Sequence, residues 1–488
     1  MQEVRVELKD FRKERRNIFD IPAAGSILRN INFLNGVRLF LLFLVIYAIV
    51  YGFINPTKEN LFTTGLFWGL FWPFFMIITL PTVGRFFCTV CPHGFLVRFF
   101  TKIGLNKNLP VKLKNPLIGL FVLILVYWFV VYTFPSVYNN PLPTALLFLG
   151  FTILAITVSF VFRNGVYCKY FCPIGSICTS FNRVGFTWLS TNHEDCLKCK
   201  KPDCAIACPY KFNPSKFDSK NSMEECTLCM ECANACSSVR WEIRKWGHSL
   251  YEKIPKPQSF EVWTYILIIG VITITMKFHH GLSRTGLADS LPWTIIGKYL
   301  DSIFHFPKGV DIVGFVALLM GIGSALLFSA VGFYIASKIL NTDYTNLFNN
   351  IGYAFAPIMI VGGLSHALSF FFFDYYPHFV NGISQAFFLN ITVEPLASRS
   401  DPWLRVFTIF NYIAGFWSLY LVHKRMSLFG FNLHPRYKIA FLFASALPIF
   451  YILLSIFQQY AFMAYPPTFH HHHHHWWYNW FIILNKEK

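Results

Sequence analysis

The sequence predicts a mostly α-helical membrane protein of about nine transmembrane helices, interrupted by one polar, cysteine-rich segment. Three observations predict it. Of 488 residues, 55% are hydrophobic and 14% charged, too little polar surface for a chain that faces water all round. Nine apolar runs recur, each able to cross a hydrocarbon core of about 30 Å. All thirteen cysteines fall between Cys88 and Cys236, and more than half of the chain has none.

The elements follow in order. Residues 1–32 are polar and basic (Arg5, Lys9, Arg12, Lys13, Arg15, Arg16, Arg29) and read as a cytoplasmic tail. No cleavable signal peptide is visible there. A four-helix membrane domain is expected over 33–189, with spans at about 33–54, 62–84, 116–135 and 143–163. The cysteine-rich segment occupies 190–256. A five-helix membrane domain follows over 257–464, with spans at about 260–279, 312–338, 350–373, 403–423 and 439–464. Residues 465–488 form a histidine-rich tail. The spans must be helices, because an open strand leaves peptide groups unsatisfied in lipid.

Lysine and arginine set the orientation. The basic 98–114 loop, the cysteine-rich segment and the 424–438 loop fall on one side, the cytoplasmic one. The 374–402 loop opposite has only Arg399. The N-terminus is therefore expected inside and the C-terminus in the periplasm, in a bacterial cytoplasmic (inner) membrane. The net charge of +18 belongs to these loops and forms no soluble basic domain, which argues against nucleic acid.

The strongest chemical signal is a double block, Cys196-x2-Cys199-x4-Cys204-x3-Cys208-Pro209 and Cys226-x2-Cys229-x2-Cys232-x3-Cys236. Such a run wraps three irons of one cubane and lends its fourth cysteine to another. The expected ligands are Cys196, Cys199, Cys204 and Cys236 for one [4Fe–4S] cluster. Cys226, Cys229, Cys232 and Cys208 are expected for the second. The segment thus reads as ferredoxin-like. Two four-cysteine zinc sites compete with this reading, although zinc ribbons space their CxxC pairs more widely.

A second signal lies at the cytoplasmic membrane face. Cys88-x2-Cys91-Pro92 follows span two and Cys168-x3-Cys172-Pro173 follows span four, each after Arg and aromatic residues. The repetition reads as an internal duplication. Cys88, Cys91, Cys168 and Cys172 could form a metal site, a dithiol relay or a docking surface, or simply be small residues at helix ends. Cys178 is the unpaired thiol and reads as structural.

GRFFCTVCPHG at 84–94, YCKYFCPIG at 167–175 and the 196–236 double block together resemble the NapH-type membrane polyferredoxins. These are related to the membrane parts of NosR and of the CcoG-type oxidase assembly factor. The resemblance covers about residues 33–245. It implies electron transfer between the quinol pool or a soluble cytoplasmic donor and a periplasmic redox or metal-binding partner. The family motif is CxxxCP at both membrane sites, and the first copy here is one residue shorter. The longer layout is similar to the FtrD-type proteins of iron uptake.

His279, His280, His305, His378 and the run His470, His471, His472, His473, His474 and His475 fall on the expected periplasmic side, with His366 inside a span. A b-type haem or a redox metal needs imidazoles from different helices, and His366 with His279 or His280 would supply them. The bland alternative is local hydrogen bonding. The six-histidine run reads as a metal-collecting segment followed by an aromatic anchor. Two functions compete: an iron–sulfur electron conduit, and a redox subunit of a metal uptake or cofactor-assembly system. No general acid, nucleophile or phosphate-binding loop stands out, so an electron-transfer subunit fits better than a stand-alone enzyme. Few carboxylates line the C-terminal spans, which argues against a pure transporter.

Overall fold

The computed structural model describes residues 16–74, 79, 84–185, 187–217, 225–243, 248–254, 256–399 and 401–466. The six-histidine run lies outside the described residues. The protein is mostly helical. Among the described residues, seven helices are long and apolar enough to cross a membrane: Ile31–Ile54, Pro141–Val161, Ser259–Arg284, Ile312–Ile339, Tyr344–Phe387, Pro402–Leu428 and Ala446–Ala464. The chain is a multi-pass membrane protein. Its outer faces agree with this. The Ile31–Ile54 helix buries Leu34, Leu42 and Ile49 and leaves Leu39, Phe40, Phe43, Ile46 and Val50 exposed. In water such a stripe would be an association patch, whereas in lipid it is an ordinary surface.

The structure differs from the expected spans in three places, each for a local physical reason. The run at 116–135 yields the shorter helix Leu117–Thr133, while the run at 62–84 starts as the helix Leu61–Phe71 and reaches beyond the described residues. Leu117–Thr133 stops at Phe134, whose backbone leaves the helical region (φ −125°, ψ 79°) ahead of Pro135. The run at 439–464 divides into Tyr437–Ala444 and Ala446–Ala464. Pro448 has no amide hydrogen to offer the Ala444 carbonyl one turn earlier. The loop expected at 374–402 begins as helix, because Tyr344–Phe387 continues through it. Its polar residues find partners: His378 Nε2 is 2.7 Å from Thr64 Oγ1, and Asn381 Nδ2 donates to Val393 O of the same stretch at 2.9 Å.

The cysteine-rich segment is framed by a three-stranded antiparallel sheet ordered β1-β3-β2, with β1 at Arg16–Asn17, β2 at Thr187–Thr191 and β3 at Val239–Ile243. Leu189 pairs with Trp241 and Asn17 with Glu242. The end of the N-terminal tail thus becomes part of the cysteine-rich unit. From the helix Pro22–Arg29, the Arg29 guanidinium donates to the carbonyls of Ala233, Cys236, Ser237 and Val239 at 2.7–3.3 Å.

A buried ion pair joins the two membrane halves. Arg183, on the helix Gly175–Val184, sits 2.9 Å from Glu261 on Ser259–Arg284. The Tyr353 hydroxyl also donates to this carboxylate.

Candidate functional site

The second cysteine set is built around a small, mostly apolar cavity of about 10 Å³. Cys208, Cys226, Cys229 and Cys232 line it together with Tyr210, Phe212, Phe217, Leu228 and Met230. Three of the thiols come from one loop, and Cys208 arrives from the other block. Met230 adopts a left-handed φ of 64° and caps the helix Glu231–Ala235, which turns Cys232 back towards Cys229. The Phe212 amide donates to Cys208 Sγ at 3.3 Å. Burial pushes the Cys226, Cys232 and Cys208 thiols up, so they are neutral near pH 7 until a metal takes their protons.

The first set lies beside it, nearer solvent. Cys204 is buried and feels Cys236 and Cys196, and burial pushes its thiol up to about 11. Cys232 also feels Cys204, so the two sets are neighbours. Cys199 is exposed, with its thiol 3.0 Å from Lys201 O. Leu197 and Ile206 beside it are 74% and 60% exposed, large values for apolar residues outside the membrane helices. In the metal-stripped protein, Cys199 should therefore be alkylated first at pH 8, and the buried Cys178, Cys204, Cys208, Cys229 and Cys232 last. Timed alkylation read by mass spectrometry checks this order.

The membrane pairs converge as well. Cys91 feels Cys88 and Cys168, and Cys172 feels Cys168, Cys91 and Cys88. In each copy a left-handed glycine (Gly84, φ 58°; Gly165, φ 64°) precedes the first cysteine, a position that favours glycine. Pro92 then opens the helix Pro92–Ile103, where its missing amide hydrogen costs nothing. Among the described residues no group of three His, Cys, Asp or Glu side chains is set to hold one metal ion. Ligands to a cubane each bind a different iron and stand further apart than four ligands on one ion.

A 4Fe-4S binding domain family matches the chain at residues 64–110 and 144–191. An uncharacterized protein of Methanocaldococcus jannaschii is 32% identical over 179 residues, 33% of this chain and 72% of that protein. The chain belongs to the same family as this archaeal protein. A second uncharacterized protein of that organism is 28% identical over 168 residues, 33% of this chain and 64% of its own. No solved structure matches. The family's 4Fe-4S description favours iron–sulfur over zinc for this chain. The matched residues contain Cys88, Cys91, Cys168, Cys172 and Cys178, whereas the double block lies beyond them.

The residues fit such clusters by donor chemistry, since thiolate sulfur is their usual ligand and an apolar, enclosed wall shields them. The histidines fare differently. His279 Nε2 is 2.9 Å from Asp311 Oδ2, His280 Nδ1 is 3.3 Å from Arg284, and His366 Nε2 is 3.4 Å from the Tyr375 hydroxyl. His280 lies near both His279 and His366, yet each ring is engaged by a protein neighbour, and nothing in the arrangement supports a haem.

Sequence reasoning missed the groups that tie these sites together. Arg38 is fully buried within the Ile31–Ile54 helix. It donates to Thr89 O at 2.7 Å and Cys229 O at 2.8 Å. Thr89 Oγ1 donates to Leu228 O at 2.8 Å. The signal was present: an arginine inside an apolar span marks a functional contact more often than not.

Proposed function

We propose that this protein is a membrane-bound iron–sulfur electron carrier, in the manner of the NapH-type polyferredoxins, with two [4Fe–4S] clusters in the cysteine-rich segment. The observation that carries the reading is the exchange of fourth cysteines. Cys208 lines the cavity of Cys226, Cys229 and Cys232, while Cys204 is neighboured by Cys196 and Cys236. Crossed ligation would use this arrangement, with both sets side by side. When bound, each cluster supplies one-electron exchange.

The chain's own residues do the rest. Cys196, Cys199, Cys204 and Cys236 hold the outer site, where exposed Cys199 and Leu197 face an incoming soluble donor. Cys226, Cys229, Cys232 and Cys208 hold the inner site, from which Leu228 and Phe217 exclude water. Thr89 and Arg38 fasten that inner loop to the membrane domain. Electrons pass from a quinol or cytoplasmic donor towards an acceptor on the opposite face.

An anaerobic redox titration followed by EPR tests this reading. Two interacting [4Fe–4S] signals are expected, with potentials inside the roughly −700 to +450 mV range of such centres. Zinc in place of iron would sink it.

A further inference from the structure

We propose that Cys88, Cys91, Cys168 and Cys172 together ligate a third cluster of the [4Fe–4S] class, seated between the two membrane repeats and against the inner ferredoxin site. The inference rests on the iron–sulfur reading above and adds a site to it.

Four independent features point to this place. The two motif copies are built alike, and in each the glycine after the Cys-Pro turn packs on its own cysteines. A methyl on Gly94 would meet Cys91 Cβ at 3.7 Å, and one on Gly175 would meet Cys172 Cβ at 3.2 Å. Cys91 feels Cys168 of the other copy, Cys172 feels Cys91 and Cys88, and the family match covers both copies. None of the four thiols is fully buried, although all lie deep enough for burial to push Cys91 up to about 12 and Cys168 up to about 11.

The third feature is charge. Arg85 is 1% exposed, and its guanidinium donates to Gly175 O at 3.0 Å and to the Thr179 hydroxyl. Its Nε has no hydrogen-bond partner. Both partners are neutral, and a buried cation without an anion is costly. The groups nearest in charge terms are the thiols of Cys88, Cys178, Cys168 and Cys226. Four thiolates on a cubane carry a net negative charge, which supplies the missing counter-charge. On loading, each thiol releases its proton and forms one S–Fe bond to a preformed cubane, with no change of oxidation state.

The fourth is position. Tyr210, a wall of the inner cavity, sits with its hydroxyl 3.8 Å from Cys168 Sγ. Thr89, between Cys88 and Cys91, donates to Leu228 of the same wall at 2.8 Å. The membrane thiols and the inner site therefore share a partition one side chain thick.

Iron and acid-labile sulfide, counted per chain in the full-length protein purified and reconstituted anaerobically, give the test. The expected result is roughly 12 of each, for three cubanes. The double variant Cys88→Ala/Cys168→Ala should fall to roughly 8 and lose one EPR component, while Cys178→Ala keeps all of them. The reciprocal variant Cys196→Ala/Cys226→Ala should retain a component absent from the first double variant. A native count of roughly 8, unchanged by Cys88→Ala/Cys168→Ala, overturns the third site and leaves the two-cluster reading intact. Zinc, or no iron at all, overturns that reading and this one together.

Discussion

Cys208→Ala is expected to empty the second cysteine block and leave the first one loaded. By sequence Cys208 closes the first block, so ligation in sequence order would give the opposite result. In space it lines the cavity of Cys226, Cys229 and Cys232 and accepts the Phe212 amide at 3.3 Å. The variant should lose about four irons per chain, and the same spectral component that Cys226→Ala deletes. Cys196→Ala and Cys236→Ala should share the loss of the other component. EPR on the four reduced variants settles the pairing. If Cys208→Ala matches Cys196→Ala instead, the crossed ligation is wrong. A site that keeps three sulfurs could hold a three-iron remnant, recognisable by its distinct oxidised signal.

Glu261→Ala should produce the largest loss of stability. Glu261 is 1% exposed and pairs with Arg183 at 2.9 Å across the joint of the two membrane halves. Removing one partner of a buried pair costs about 3–5 kcal/mol, because the other charge stays buried. The Tyr353 hydroxyl loses its acceptor as well. Glu261→Gln keeps an acceptor oxygen and should cost less. Thermal unfolding in detergent, followed by tryptophan fluorescence, should show an apparent midpoint several degrees lower for the alanine variant, with glutamine between. Equal midpoints for all three proteins would mean that the pair contributes nothing to the joint.

What the sequence makes legible here is local. The double block can be read as a candidate ligand set because its cysteines lie within a few residues of one another. The helices can be read because each apolar run carries its own length. Contacts between distant residues cannot. Asn17 and Glu242 pair across more than two hundred positions through a strand of two residues, too short for any periodicity. Arg29 bonds to four carbonyls around Cys236, and nothing near Arg29 in sequence announces it. His378 looked like a loop residue because its partner, Thr64, lies in a distant element. The convergence of the membrane cysteines was half legible. Their repeated pattern could be seen, but not Arg85 beside them or the partition shared with Tyr210.

The difference in exposure between the two cysteine sets has a kinetic consequence. On the proposed path, an electron arriving beside exposed Cys199 would be met by bulk water, whose dipoles swing to follow it. At Cys229 and Cys232 the surroundings are packed side chains that hardly turn. Most of the reorganisation energy of the path therefore sits at its outer end. Counter-ions reach that end too, within a Debye length of about 8–10 Å at ordinary ionic strength. The outer step should slow with added salt and with a more viscous medium. The steps further in should run at the same rate whatever the solvent contains.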